Sequence, residues 1–209
     1  MIGSVWARSL SVGALALISW LAACKDFGPE PLPITPDGAK DVSPAWSPDG
    51  RFIAIRHEQD QELTPGLDKT GLYLVEVETG DRHFLGINGA GPAWSPDGRY
   101  LYYTVPWAIQ LARFDLITGV DTLLTEGPHW DRFPSVSPDG KRVALSSGYG
   151  SPMGLGPPVL QLMDLDGSNR RRIFPPEGDT LGVGRVSWDP TGRYLVYERF
   201  DHQHAASPR

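Results

Sequence analysis

Apolar residues come in short bursts along most of this chain, each bounded by turns rich in proline, aspartate and glycine. "FIAI" (Phe52–Ile55), "LYLV" (Leu72–Val75) and "YLYY" (Tyr100–Tyr103) are typical. Their β-branched and aromatic content predicts strands. They are apolar on both faces instead of alternating, which predicts strands covered on both sides. A turn phrase punctuates the bursts. "PAWSPDGR" stands at Pro44–Arg51 and again, letter for letter, at Pro92–Arg99. Altered copies stand at Pro134–Lys141 ("PSVSPDGK") and Val186–Arg193 ("VSWDPTGR"). The last residues of the four copies, Arg51, Arg99, Lys141 and Arg193, are spaced by 48, 42 and 52 positions. A period of roughly 40–50 residues is the signature of a repeat architecture.

The turn chemistry is explicit in the letters. Pro48, Pro96 and Pro138 preset φ at the first corner of a tight turn, with Pro190 in the same place in the fourth copy. Asp49, Asp97 and Asp139 suit the second corner. Gly50, Gly98, Gly140 and Gly192 take the position where φ turns positive. A second apolar run follows each of the first three copies: "LYLVEV" from Leu72, "LARFDL" from Leu111 and "LQLMDL" from Leu160. Each closes on a glycine turn, and a short run follows at Arg82, Asp121 and Arg171. One unit is therefore a meander of four short antiparallel strands, and the chain is all-β.

These residues resemble the PD40, or TolB-type, WD40-like β-propeller repeat, whose hallmark is "PxWSPDG". The resemblance extends over Asp41–Phe200, and "LMDLDGSNRRRIF" (Leu162–Phe174) is similar to the second hairpin of that repeat. It implies blades stacked face to face around an axis. Trp46, Trp94 and Trp188 then hold equivalent places, with Val136 as the fourth, and each is expected to fill the contact with a neighbouring blade. The strands supply three complete blades and one hairpin of a fourth, an incomplete ring of about three and a half blades. Apolar blade faces are expected to be uncovered at both ends of the arc. The segment "PLPIT" (Pro31–Thr35) can donate one outer strand.

The one long apolar stretch is different in kind. Leu10–Ala23 ("LSVGALALISWLAA") is uncharged and follows a start that carries a single arginine. Its length is short for a membrane span and suits a secretory signal. It runs into "LAAC" (Leu21–Cys24), which resembles the lipobox of bacterial lipoproteins. That resemblance implies a signal peptide over 1–23, cleavage before Cys24 and a diacylglycerol on its sulfur. Two or more acyl chains, palmitate among them, hold a protein on a bilayer stably where one does not. Residues 24–40 are then a linker, 41–200 the repeats and 201–209 a polar tail. Cys24 is the single cysteine, so no intramolecular disulfide forms.

Composition narrows the chemistry. Twenty-four glycines and twenty prolines make the chain rich in turns, while seven residues each of Trp, Tyr and Phe argue for a packed core. The net charge is −6 with no long run of one sign, and the basic triplet Arg170–Arg172 reads as an exposed strand edge or turn. A nucleic-acid surface is not expected. Asp49, Asp97 and Asp139 read as turn residues, set far apart in successive hairpins. Asp41 and Asp131, each three residues before the repeat's proline, read as turns between blades. "DLDGSN" (Asp164–Asn169) lacks the ligand spacing of a calcium loop and also reads as a turn. His57, His83 and His129 fall in different units, and His202 and His204 in the tail. No nucleophile elbow or phosphate loop is present. Catalytic residues, metal ligands and cofactors are therefore not expected.

The expected function is a lipid-anchored cell-envelope module, facing the periplasm or the exterior. It would bind another protein or an envelope polymer, and self-association through open blade edges is a further expectation. The alternative is the leading propeller of a prolyl-oligopeptidase-like hydrolase, or a propeller-type polysaccharide lyase. TolB itself carries a separate α/β domain ahead of its propeller, for which only a short segment after Cys24 is present here.

Overall fold

A side-chain hydroxyl sits in each repeat turn. In a computed structural model, which describes residues 40–58, 69–149, 156–176 and 180–201, the first sheet begins with Lys40–Trp46 (β1). The chain turns through Ser47–Gly50 and returns as Phe52–Glu58 (β2). The Gly50 N–H donates to the Ser47 carbonyl at 3.0 Å, with Gly50 at φ 72°, where a side chain is strained. The Ser47 hydroxyl donates to the Asp49 carboxylate (2.7 Å) and accepts the Phe52 N–H (2.9 Å). Ser95 does the same with Asp97 and the Tyr100 N–H (2.8 Å), and Ser137 with Asp139 and the Arg142 N–H (2.9 Å). In the fourth turn the groups change places. Thr191 supplies the hydroxyl and donates to Asp189, whose carboxylate accepts the Tyr194 N–H at 2.6 Å. "WDPTG" thus preserves the chemistry of "WSPDG" with donor and acceptor exchanged.

From each turn a meander continues. Gly71–Glu76 (β3) and Arg82–Phe84 (β4) complete the first sheet, in the order β1-β2-β3-β4. The second holds Ala90–Trp94 (β5), Tyr100–Val105 (β6), Gln110–Asp115 (β7) and Asp121–Leu123 (β8). The third holds His129–Val136 (β9), Arg142–Tyr149 (β10), Val159–Asp164 (β11) and Arg171–Phe174 (β12). Leu181–Trp188 (β13) and Leu195–Asp201 (β14) form a two-stranded fourth. All pairings are antiparallel, and no helix occurs among the described residues. The first strands of successive sheets lie against one another, β1 on β5, β5 on β9 and β9 on β13. These are blades around an axis, about three and a half of them.

The core lies in the seams between blades. Leu72 of the first packs with Tyr103, Val105 and Phe114 of the second. Tyr102 and Leu111 pack with Val143, Leu145 and Met163, and Ala144, Leu160 and Leu162 with Val183 and Val186. Burying each such Leu, Val or Tyr side chain stabilises by roughly 1.5–3 kcal/mol.

The outer face of the first blade departs from the expected uncovered surface. Ile53, Ile55, Tyr73 and Val75 are buried there as a cluster of their own. Phe84 lies against Tyr73 at 5.0 Å, and the Arg82 and Lys69 cations stack on these rings at 5.5 and 5.6 Å. The fourth blade matches the expectation, with Tyr194 and Val196 turned to solvent. Cys24, the segment 1–23, nearly all of the linker, "PLPIT" and the histidines of the tail lie outside the described residues.

Candidate functional site

The innermost strands β1, β5, β9 and β13 bound a hollow of ≈ 700 Å³. Its wall includes Trp46, Trp94, Val136, Arg185 and Val186, with Val196 and Glu198 from β14. A neighbouring recess of ≈ 310 Å³ is lined by Ser43, Arg56, Gly91, Ile109, Arg132 and Phe133. Each inner strand is bulged at this level, shown by register shifts at Val42/Ala45, Ala90/Ala93 and Val183/Val186 and opposite Ala144/Ser146. Ser43 and Phe133 take positive φ there (55° and 54°). Left-handed backbone costs of order 1–3 kcal/mol at a residue with a side chain and persists where the surroundings impose it.

Two guanidinium groups mark the site. Arg132 stacks on the Trp130 ring at 5.0 Å, and Arg185 on the Phe133 ring at 5.3 Å. Neither pairs with a carboxylate among the described residues. A stacked guanidinium keeps its N–H edge available, a geometry suited to carboxylate or phosphate. Arg56, by contrast, is committed to Glu58 (3.2 Å), Asn88 (3.1 Å) and the Gly89 carbonyl (2.7 Å). The hollow can therefore take an anionic group against partly apolar walls.

The repeat residues surround this site and do structural work. The Trp94 indole N–H donates to the Ala45 carbonyl of the preceding blade at 2.9 Å. Trp188 makes the equivalent bond to Ser135, the counterpart of Ala45, at 3.2 Å. Val136, with no donor, packs into the seam core between the second and third blades. Trp46 departs from the expected blade contact and is 61% exposed, because no described blade lies on its side of β1. The turns carrying Pro48, Asp49 and Gly50, Pro96, Asp97 and Gly98, Pro138, Asp139 and Gly140, and Pro190 and Gly192 are not far apart as expected. A Cβ on Gly98, Gly140 or Gly192 would lie 3.6–3.9 Å from Pro48, Pro96 or Pro138 of the turn before. The inner strands converge at the axis and bring their turns together. Each aspartate stays committed to its own turn. The hydroxyl of the turn's serine or threonine and backbone N–H groups hold the carboxyls of Asp49, Asp97, Asp139 and Asp189 below the ordinary range.

Asp41 and Asp131 require a further correction, since neither turns the chain between blades. Arg82 donates both terminal nitrogens to Asp41 at 2.8 Å, and the His57 Nδ1 lies 2.9 Å from the same carboxylate. Burial alone would raise the Asp41 pKa, but the hydrogen bonds and charges of Arg82 and His57 outweigh it and the pKa is lowered. Asp131 has no exposed surface and is gripped by Arg170 at 2.9 and 2.5 Å, with Ser147 on the same arginine at 2.6 Å. Arg170 is thus half-buried in an ion pair, and only Arg171 and Arg172 of the triplet hold the exposed edge. These pairs brace the first strand of a blade against its outer strands. Asp164–Asn169 forms a turn in which Asn169 donates to Asp164 at 2.6 Å. No group of three potential metal ligands, and no helix long and apolar enough to cross a membrane, occurs among the described residues.

No family model matches the chain. An uncharacterized protein of Agrobacterium fabrum is 29% identical over 165 residues, covering 74% of this chain and 53% of that protein. The chain therefore spans about half the length of the curated relative it matches. Among solved structures, a TolB candidate from Agrobacterium tumefaciens is 25% identical with a TM-score of 0.61, covering 80% of this chain and 61% of its own. The described blades have a TolB-like propeller fold. TolB from Acinetobacter baumannii superposes with the same TM-score at 22% identity, over 82% of this chain and 41% of that one. Within this TolB-like frame, the sequence reading missed the hydroxyl of each turn, the Asp–Arg braces and the two stacked arginines. The repeats place the braced residues at equivalent positions. Asp41, Gly89 and Asp131 are equivalent, and so are Arg82, Asp121 and Arg170, each ten residues after its aligned leucine.

Proposed function

We propose that the chain is a lipid-anchored propeller of the bacterial cell envelope that binds a protein or an envelope polymer at its axial hollow. The observation that carries this reading is Arg185 in the wall of the hollow and Arg132 in the neighbouring recess, each stacked on an aromatic ring and without a carboxylate partner among the described residues. An anionic group of the partner docks there. Propeller folds present binding surfaces through repeated blades, and fold alone does not assign an activity. The TolB-type neighbours support an envelope setting, and "LAAC" supports the anchor through Cys24.

Capture from native membranes tests the reading. Full-length tagged chain is crosslinked in membranes beside an Arg132→Gln/Arg185→Gln variant and a Cys24→Ser variant. The expected result is a defined partner that the arginine variant loses, together with an acylated Cys24 by mass spectrometry of the mature terminus. Equal capture by the arginine variant overturns the axial site, and an unlipidated terminus overturns the anchor.

A further inference from the structure

The second blade breaks the charge pattern of its neighbours. In the first and third blades an arginine (Arg82, Arg170) meets an aspartate (Asp41, Asp131). The equivalent residues in the second are Asp121 and Gly89, so the cation is replaced by a carboxylate and its partner is deleted. An aspartate at 89 has no room, because a Cβ there would lie 2.5 Å from the Tyr103 ring. The Tyr103 hydroxyl instead donates to Asp121 at 2.7 Å. No lysine, arginine or histidine pairs with Asp121 among the described residues.

A cleft of ≈ 410 Å³ opens beside this carboxylate. Val105, Leu123 and Trp107 form its apolar wall, and Trp107 is 73% exposed on the β6–β7 turn. A large, exposed aromatic beside an unpaired carboxylate matches what an alkyl cation needs. The ring face attracts the charge, the apolar wall takes the methylene stem, and the carboxylate receives the N–H donors.

We propose that this cleft binds a lysine or arginine side chain of a protein partner, its cation on Asp121 and its stem against Trp107 and Leu123. The partner thereby supplies the cation that Arg82 and Arg170 supply within their own blades. This site lies on the seam of the first and second blades and does not rest on the axial hollow.

Indole-¹⁵N NMR of the full chain in detergent micelles tests it, with the Trp107 signal assigned from a Trp107→Phe variant. The probes are acetyl-Ala-Lys-Ala-amide, acetyl-Ala-Arg-Ala-amide, the norleucine analogue and free spermidine. The expected result is a saturable Trp107 shift with the lysine or arginine peptide and none with norleucine. Asp121→Asn, which keeps an acceptor for Tyr103, weakens binding by about fivefold or more, the scale of a surface ion pair with an aromatic contact. Asp121→Arg, the residue type of the other blades, abolishes it, with urea unfolding confirming that both variants fold. Equal binding of the norleucine peptide, an unaffected Asp121→Asn or no saturable shift overturns the proposal. Saturation by spermidine but by neither peptide also overturns it, in favour of a small polyamine.

Discussion

Asp131 and Ser95 show how much of this fold rests on polar atoms with no access to water. Asp131 sits in the Arg170 fork, and removing one partner strands the other. Asp131→Ala should therefore destabilise by about 3–5 kcal/mol, whereas replacing both residues by apolar ones of similar volume should recover most of the loss. Ser95→Ala removes the acceptor of the Tyr100 N–H and should cost about 1–3 kcal/mol. Urea midpoints at neutral pH check both. The acid limb follows from Asp41 and the turn aspartates. Their folded pKa values lie below the ordinary 3.8, so their ionised forms stabilise the fold. That contribution is complete above the unfolded value and is lost as pH falls through the folded ones. The urea midpoint should hold down to about pH 5 and drop below about pH 4, with Asp41→Asn flattening the drop. Pro48, Asp49 and Gly50 are legible in the sequence because their roles are local. Ser47 is not, because its acceptor role depends on an N–H five residues on. Asp41 is not, because Arg82 lies 41 residues away.

Strands and hairpins are the most legible level, since apolar bursts between proline–glycine turns leave few alternatives to a meander. Position within the arc is not legible, and the tryptophans show it. Trp94 and Trp188 make the same indole-to-carbonyl bond across a seam, while Trp46, in the same register, faces solvent. Trp94→Ala should cost about 2–3 kcal/mol, below the usual range for a fully buried ring because Trp94 is half-buried. Trp46→Ala should change stability by less than about 0.5 kcal/mol. Equal losses at both positions would mean that Trp46 is covered in solution.

At the scale of the whole molecule the two ends of the arc differ. The first blade buries Ile53, Ile55, Tyr73 and Val75 on its outer face, and the fourth leaves Tyr194 and Val196 63% and 70% exposed. Exposed apolar residues on one sheet favour association. Soluble Cys24–Arg209 should sediment as concentration-dependent oligomers, and Tyr194→Lys/Val196→Lys should shift it towards monomer. The axial hollow is legible in the sequence only as a consequence of blade stacking, because Arg132 and Arg185 belong to no motif. It carries the functional claim, and site-specific photo-crosslinking in native membranes tests it most directly. A photoreactive residue at position 187, exposed in the wall of the hollow, should give a discrete covalent partner, and one at exposed His83 on the outer strand β4 should not. The same adduct at both positions, or none at 187, would contradict an axial binding site.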